Sequence, residues 1–220
     1  VEVAVAFTGV IHFSNNIFKL FLVGNYVNKE VFIKFGIPAI IAAFIGSFIL
    51  FNINSNIVVY SYNLLGNFKE VSLIKFIVSL LLIFFALIDL VPFFGNLKFN
   101  KKSLPIGGVL SGFFGGLTGN QGALRSAFLI KVGLEKKVFI GTTVFISFFV
   151  DLTRLGVYST NLININLSDH YVLGVFAISS GIVGSLIGNK LLTKVTVSGI
   201  RILVAILILL LSLGLLLGLL

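Results

Sequence analysis

The chain has 220 residues, of which 58% are hydrophobic and only 10% are charged. An average soluble domain has about 25% charged residues, so this chain cannot form a water-exposed surface and must use lipid as its main solvent. The absence of cysteine excludes disulfides and thiolate chemistry, and the charge of +9 with 24 phenylalanines in apolar runs indicates basic loops rather than a nucleic-acid partner.

Apolar runs long enough to cross a bilayer recur along the chain, without the strict alternation of membrane strands. We therefore predict an all-α polytopic protein of the cytoplasmic membrane, with the lipid bilayer as its partner. Its six full transmembrane helices are predicted at Val1–Val23, Phe35–Phe51, Val71–Val91, Val138–Ser159, Tyr171–Gly188 and Gly199–Leu220. The nearly neutral segment Asn52–Glu70 is predicted to be an external loop.

The segment Pro105–Lys131 is also apolar, but it is rich in glycine and is interrupted by polar residues at Thr118–Gly122. If it crossed the membrane once, the basic loops at 131–137 and 189–201 would lie outside. If it enters and returns on the same side, every basic loop is cytoplasmic, as the positive-inside rule requires. We therefore predict a re-entrant, broken helix here.

The polar residues of the first and fourth predicted helices recur at the same spacing of four, four and three. They are Thr8, His12, Asn16 and Lys19 in one and Thr143, Ser147, Asp151 and Arg154 in the other. Together with the loop count, this pattern predicts two repeats of inverted topology. The first repeat, residues 1–97, has three transmembrane helices and is incomplete; the second, residues 98–220, has the broken segment and three more. The repeat predicts that a copy of the broken segment precedes Val1.

Charged residues within the membrane are functional or paired. Asp151 and Arg154 are three residues apart, so they can form a structural ion pair, or they can line a substrate path together with the polar stripe around them. A half-helix beginning near Ala123 would point its free amides at the break, with Arg125 one turn away, which is typical of an anion site. The alternative is a tight turn in which Asn120 and Gln121 satisfy the backbone.

We predict a substrate site for a small anion that is formed by both repeats. It comprises Gly119, Asn120, Gln121, Gly122, Arg125, Asp151, Arg154, Asn16 and Lys19. Lys19 can instead extend to the membrane interface. His12 is predicted as a hydrogen-bonded packing residue, with a proton relay as its alternative.

Motifs of catalysis are missing from the sequence. It has no GxxxxGK[ST] loop, no HExxH helix and no carboxylate pair of hydrolytic spacing, so we expect no enzyme, no metal and no cofactor. A rival interpretation is a membrane-embedded lipid-diphosphate phosphatase-like enzyme, suggested by Arg125-Ser126 but without the cluster of glutamates that such chemistry needs. A channel is a third.

The stretch Gly112–Arg125, which reads GFFGGLTGNQGALR, resembles the second-half motif of the TauE/SafE family of probable membrane transporters. Asp151–Gly156 resembles the helix that follows in that family, and His12–Lys19 resembles its first-half counterpart. The resemblance implies two similar halves, each opening with a glycine-rich broken segment, and transport of sulfite, an organosulfonate or a related sulfur-containing anion. The family often has a further Gly and a Pro around 120–127, and their absence here bears on the substrate more than on the fold.

Overall fold

The computed structural model describes residues 2–53, 56–64, 66–90, 101–119, 121–129, 132–162, 171–191 and 197–220. These residues are mostly helical. The helices are α1 (Glu2–Val23), α2 (Lys29–Asn52), α3 (Leu73–Leu90), α4 (Leu104–Thr118), α5 (Gly122–Leu129), α6 (Lys136–Leu162), α7 (Tyr171–Leu191) and α8 (Val197–Leu216). A π-helical turn, Phe32–Gly36, lies within α2.

Two of these helices, α2 and α6, are long and apolar enough on their own to cross a membrane. Shorter apolar helices cover Leu73–Ile88, Tyr171–Ile187 and Ile202–Leu216, within three other predicted spans. Large apolar side chains such as Ile41, Phe44 and Phe48 are exposed along α2. Lipid is the solvent that such a surface needs.

The segment between α2 and α3 differs from the predicted external loop because it contains two antiparallel strands, β1 (Val58–Leu64) and β2 (Asn67–Ser72). Val71 was predicted to open the third transmembrane helix, but it lies in β2, and α3 begins two residues later. The helical prediction extended too far because Val71 is apolar and buried. In the structure its side chain is buried as part of β2 and does not belong to α3.

The prediction that the glycine-rich segment is broken in the middle is confirmed. Helix α4 ends at Thr118, and α5 begins at Gly122 and folds back against α4. A Cβ on Gly107 of α4 would lie 2.4 Å from the Phe128 ring of α5, so the two helices touch closely. We call this pair the helical hairpin.

Glycines on α4 allow it to pack against α2 with backbone in contact with backbone. A Cβ on Gly108, Gly112 or Gly116 would lie 2.2, 2.0 or 2.4 Å from a carbonyl oxygen of α2. Small residues at an interval of four are the usual means by which membrane helices approach this closely. The hairpin is therefore held along α2.

Two apolar clusters lie on either side of the hairpin's tip. The first joins α2, α4, α5 and α6 and includes Phe35, Phe128, Ile146 and Val150. The second joins α2, α3, α4 and α6 and includes Leu117 and Tyr158. Along α6, Asp151 and Arg154 lie between Val150 of the first cluster and Tyr158 of the second, and Arg154 contacts the tip at Gly119.

The remaining packing pairs helices from the two halves of the chain. Helix α1 packs against α6, and α3 packs against α8. These are the pairs that correspond in the predicted repeat. The predicted domain boundary, at 97/98, lies outside the described residues.

Candidate functional site

The tip of the helical hairpin is built by a left-handed glycine. Gly119 has φ of 80° and donates its backbone N–H to the Gly115 carbonyl at 2.9 Å, which ends α4. The Gln121 carbonyl then accepts the backbone N–H of Arg125 at 3.1 Å and the Ser111 hydroxyl at 3.2 Å. The first bond starts α5, and the second fastens the returning chain to α4. The new half-helix begins at Gly122, one residue before the predicted Ala123.

Asp151 of α6 connects the two halves of the chain. One of its carboxylate oxygens accepts a hydrogen bond from Asn16 Nδ2 of α1 at 2.7 Å, and the other accepts Arg154 Nη1 at 3.2 Å. All three side chains are buried. The predicted ion pair is therefore present, and Asn16 completes it from the first half.

The ion pair uses only part of the Arg154 guanidinium. The side chain is 0% exposed, yet its Nε and Nη2 are buried without a hydrogen-bond partner. A Cβ on Gly119 would lie 3.0 Å from Nη2 and 3.2 Å from Nη1, so the guanidinium rests against the bare backbone of the hairpin tip. The Tyr158 ring lies 5.6 Å from Cζ. Arg154 thus offers free donors at the break.

Arg125 adds a second incompletely satisfied guanidinium, from the first turn of α5. Its Nε and Nη1 are buried and have no hydrogen-bond partner in the structure. Buried charged donors without partners are rare in folded proteins because each costs the desolvation of a charge. Two such arginines beside one helix break form a site that an oxyanion would complete.

Helix α1 contributes a further cation and an unsatisfied amide. Lys19 lies one turn beyond Asn16 and is close enough to Arg125 for their charges to interact. The side-chain oxygens of Asn15 and Gln121 are buried without partners. Asn120 lies outside the described residues, and Gly122 is half-buried at the start of α5.

Two members of this neighbourhood were not predicted from the sequence. A Cβ on Gly9 of α1 would lie 3.3 Å from a Leu155 methyl group and 3.9 Å from Arg154 Nη2, so Gly9 lets α1 approach α6. Ser111 fixes the returning chain, as described above. Gly9 precedes Asn16 by seven residues, on the same helical face, and this spacing was the available signal.

Comparison with known families decides what kind of protein carries this site. The family model of the sulfite exporter TauE/SafE matches residues 1–215. The chain belongs to the TauE/SafE family. This membership implies a membrane transporter of sulfur-containing anions, and the apolar helices fit a membrane protein. It is consistent with a chain that is not an enzyme, and the phosphatase-like alternative receives no support. The curated proteins and the solved structures contain no match to the chain.

Proposed function

We propose that the protein carries a small oxyanion, sulfite or an organosulfonate, through the cytoplasmic membrane as a multi-pass transporter. The observation that carries this proposal is the pair of buried guanidinium groups, Arg125 and Arg154, with unsatisfied nitrogens beside the hairpin tip. Planar guanidinium groups suit anions whose oxygens can accept two bonds at once.

The charge balance of the site favours an anionic guest. Arg125, Arg154 and Lys19 supply three cations, and Asp151 supplies the carboxylate that faces them. An unbalanced positive charge inside a membrane protein is costly unless a counter-ion compensates it. A bound oxyanion would both balance the charge and accept the unused N–H groups.

The transport mechanism that we propose follows from the two halves meeting at the site. Asn16 and Lys19 belong to residues 1–97, and the hairpin, Asp151 and Arg154 belong to residues 98–220. We propose that these halves are repeats of inverted topology that rock about the bound anion and expose it to one side of the membrane at a time. The packing of α1 on α6 and of α3 on α8 supports this relation, because corresponding helices meet at the axis of such a repeat.

Uptake into proteoliposomes tests the proposal. Vesicles with the purified protein are expected to accumulate labelled sulfite or an organosulfonate above protein-free vesicles, and Arg125→Gln and Arg154→Gln are expected to lower the rate at least tenfold. Lys102→Gln removes a cation from an exposed position and is expected to transport like the wild type.

Folding must be separated from binding in this experiment. Each variant is therefore compared by circular dichroism and thermal unfolding, and Arg154→Lys retains the charge while losing the planar fork. Undiminished uptake by the Arg125→Gln, Arg154→Gln double variant would show that the site is assigned wrongly. Release of phosphate from a lipid diphosphate would favour the enzyme instead.

A further inference from the structure

His12 lies between the two points at which α1 touches the ion pair of α6. Three residues before it, a Cβ on Gly9 would lie 3.9 Å from Arg154 Nη2. Four residues after it, Asn16 donates to Asp151 at 2.7 Å. Residues at these intervals share one helical face, so His12 is on the face that α1 turns toward the site.

The charges around His12 come from every part of the site. On its own helix it interacts with Lys19; from α6 it interacts with Asp151 and Arg154, and from α5 with Arg125. Helix α7 also packs on α1, and within residues 171–187 the titratable side chain is Tyr171, at the helix start. The charged groups that act on His12 are therefore the same groups that would surround a bound anion.

Among the residues of this cluster, histidine is the type whose charge ordinarily changes near neutral pH. The ordinary pKa values of arginine, lysine and carboxylate side chains lie well away from neutrality, whereas the ordinary pKa of histidine lies close to it. His12 is also more exposed than the buried Asn16, so its ring is not enclosed by the ion pair. Position and chemistry agree.

We propose that His12 makes anion binding proton-linked, so that the transporter takes up a proton together with its anion. This inference rests on the proposed function. A water-borne proton binds the imidazole ring, and the imidazolium then adds one positive charge beside Arg154 while the anion is bound. When the anion leaves, its attraction for the imidazolium is lost and the proton returns to water. The anion and the proton thus favour each other's binding by the same factor.

Calorimetric binding of methanesulfonate to the full chain in detergent tests the inference, because this anion keeps one fixed charge at neutral pH. Titrations in buffers of different ionisation enthalpy count the protons taken up. The wild type is expected to bind a fraction of a proton per anion near neutral pH, and its affinity is expected to fall on the order of tenfold as the pH rises through the histidine range. His12→Gln is expected to bind without proton uptake and with an affinity independent of pH.

The outcomes separate this inference from the proposed function. His170→Gln alters the sequence's other histidine and is expected to retain the proton uptake of the wild type. Binding of methanesulfonate with equal proton uptake in the wild type and in His12→Gln would overturn the role of His12 and leave the anion site standing. Failure of the wild type to bind methanesulfonate at any pH would overturn both.

Discussion

Arg154 is held by contacts that leave two of its guanidinium nitrogens, Nε and Nη2, without a hydrogen-bond partner. Asp151 takes Nη1, the Gly119 backbone covers one face, and Tyr158 lies below and donates its hydroxyl to the Gly116 carbonyl at 3.0 Å. A guanidinium fixed in this way loses little side-chain freedom when a ligand binds. Such preorganisation favours binding because the cost of ordering is met on folding.

Gly119→Ala is expected to weaken anion binding, because the new Cβ would lie 3.0 Å from Arg154 Nη2 at a backbone φ of 80°. The left-handed conformation alone costs about 1–2 kcal/mol in a residue with a side chain. Displacement of the guanidinium should lower affinity on the order of tenfold, which is the worth of a hydrogen bond to a charged group. Calorimetric titration with sulfite measures the affinity.

Gly122→Ala is the matched control, because it lies across the same break and a Cβ there would meet nothing within 4 Å. It is expected to bind like the wild type. Equal losses in both variants would mean that glycine is needed for the flexibility of the break and that its contact with Arg154 is irrelevant.

Asp151→Asn is expected to destabilise the protein by about 3–5 kcal/mol, because it leaves a buried guanidinium without its counter-charge. The carboxylate is almost fully buried and bonds to both Asn16 and Arg154. Thermal unfolding in detergent measures the change. Glu30→Gln breaks an exposed pair with Lys34 and is expected to leave the melting temperature unchanged. Similar melting of Asp151→Asn and the wild type would show that the ion pair contributes no stability.

At the scale of single residues, the sequence indicated which side chains meet, but it did not indicate how many of their hydrogen-bonding groups find a partner. Equal spacing in two helices pointed to Asn16, Asp151 and Arg154, and the first two are bonded across the halves. Spacing along one helix cannot tell which guanidinium nitrogen a neighbour occupies, because that depends on the angle at which helices cross. The unused nitrogens of Arg154 therefore became visible only in three dimensions.

At the scale of elements, the helical hairpin depends on the glycine face of α4. The sequence indicated its break, since Thr118–Gly122 combines glycines with polar residues that a continuous apolar helix would not contain. The helix that packs against α4 could not be predicted from the sequence, because a row of small residues fits any helix with a smooth face. The structure assigns α2, where Ala39, Ala43 and Ser47 form that face.

Gly112→Ala is expected to destabilise this packing, because its Cβ would lie 2.0 Å from the Ala39 carbonyl oxygen. Backbone cannot move aside as a side chain does, so α4 and α2 must separate, at a cost of about 1–3 kcal/mol or more. The melting temperature in detergent is the measurement. Gly181→Ala on α7, where a Cβ meets nothing within 4 Å, is the control and is expected to melt at or slightly above the wild-type temperature. A wild-type melting temperature for Gly112→Ala would contradict the close packing of α4 on α2.

The strands β1 and β2 were the element that the sequence prediction missed. Hydropathy places this segment outside the membrane helices, but hydropathy carries no information about the secondary structure that such a segment adopts in water. Alternation in Val58–Leu64, with tyrosines at 60 and 62, was the signal for a strand. Apolar helical segments dominate the composition, so the alternation in this short segment was overlooked.

At the scale of the molecule, the central prediction is that the hairpin is re-entrant, so that both of its ends lie on the same side of the membrane. The chain has no cysteine, so single cysteines can be introduced without background. Lys102→Cys and Lys137→Cys, both at exposed positions flanking the hairpin, are expected to react with a membrane-impermeant maleimide from the cytoplasmic side. Labelling of intact cells and of inverted vesicles measures this.

Asn63→Cys in β1 provides the opposite reference and is expected to react from outside. Reaction of positions 102 and 137 from opposite sides would show that the segment crosses the membrane. The orientation count and the inverted relation of the halves would then both be wrong.

The two strands also connect distant parts of the chain. Tyr60 and Tyr62 donate their hydroxyls to the carbonyls of Leu216 and Leu217, at the end of α8, and the backbone N–H of Leu73, at the start of α3, donates to Ile57. Carbonyls at a helix end otherwise rely on water. The strands thus join the start of α3 to the end of α8. We expect any movement between residues 1–97 and 98–220 to pivot at this end, because the strands hold α3 and α8 together there.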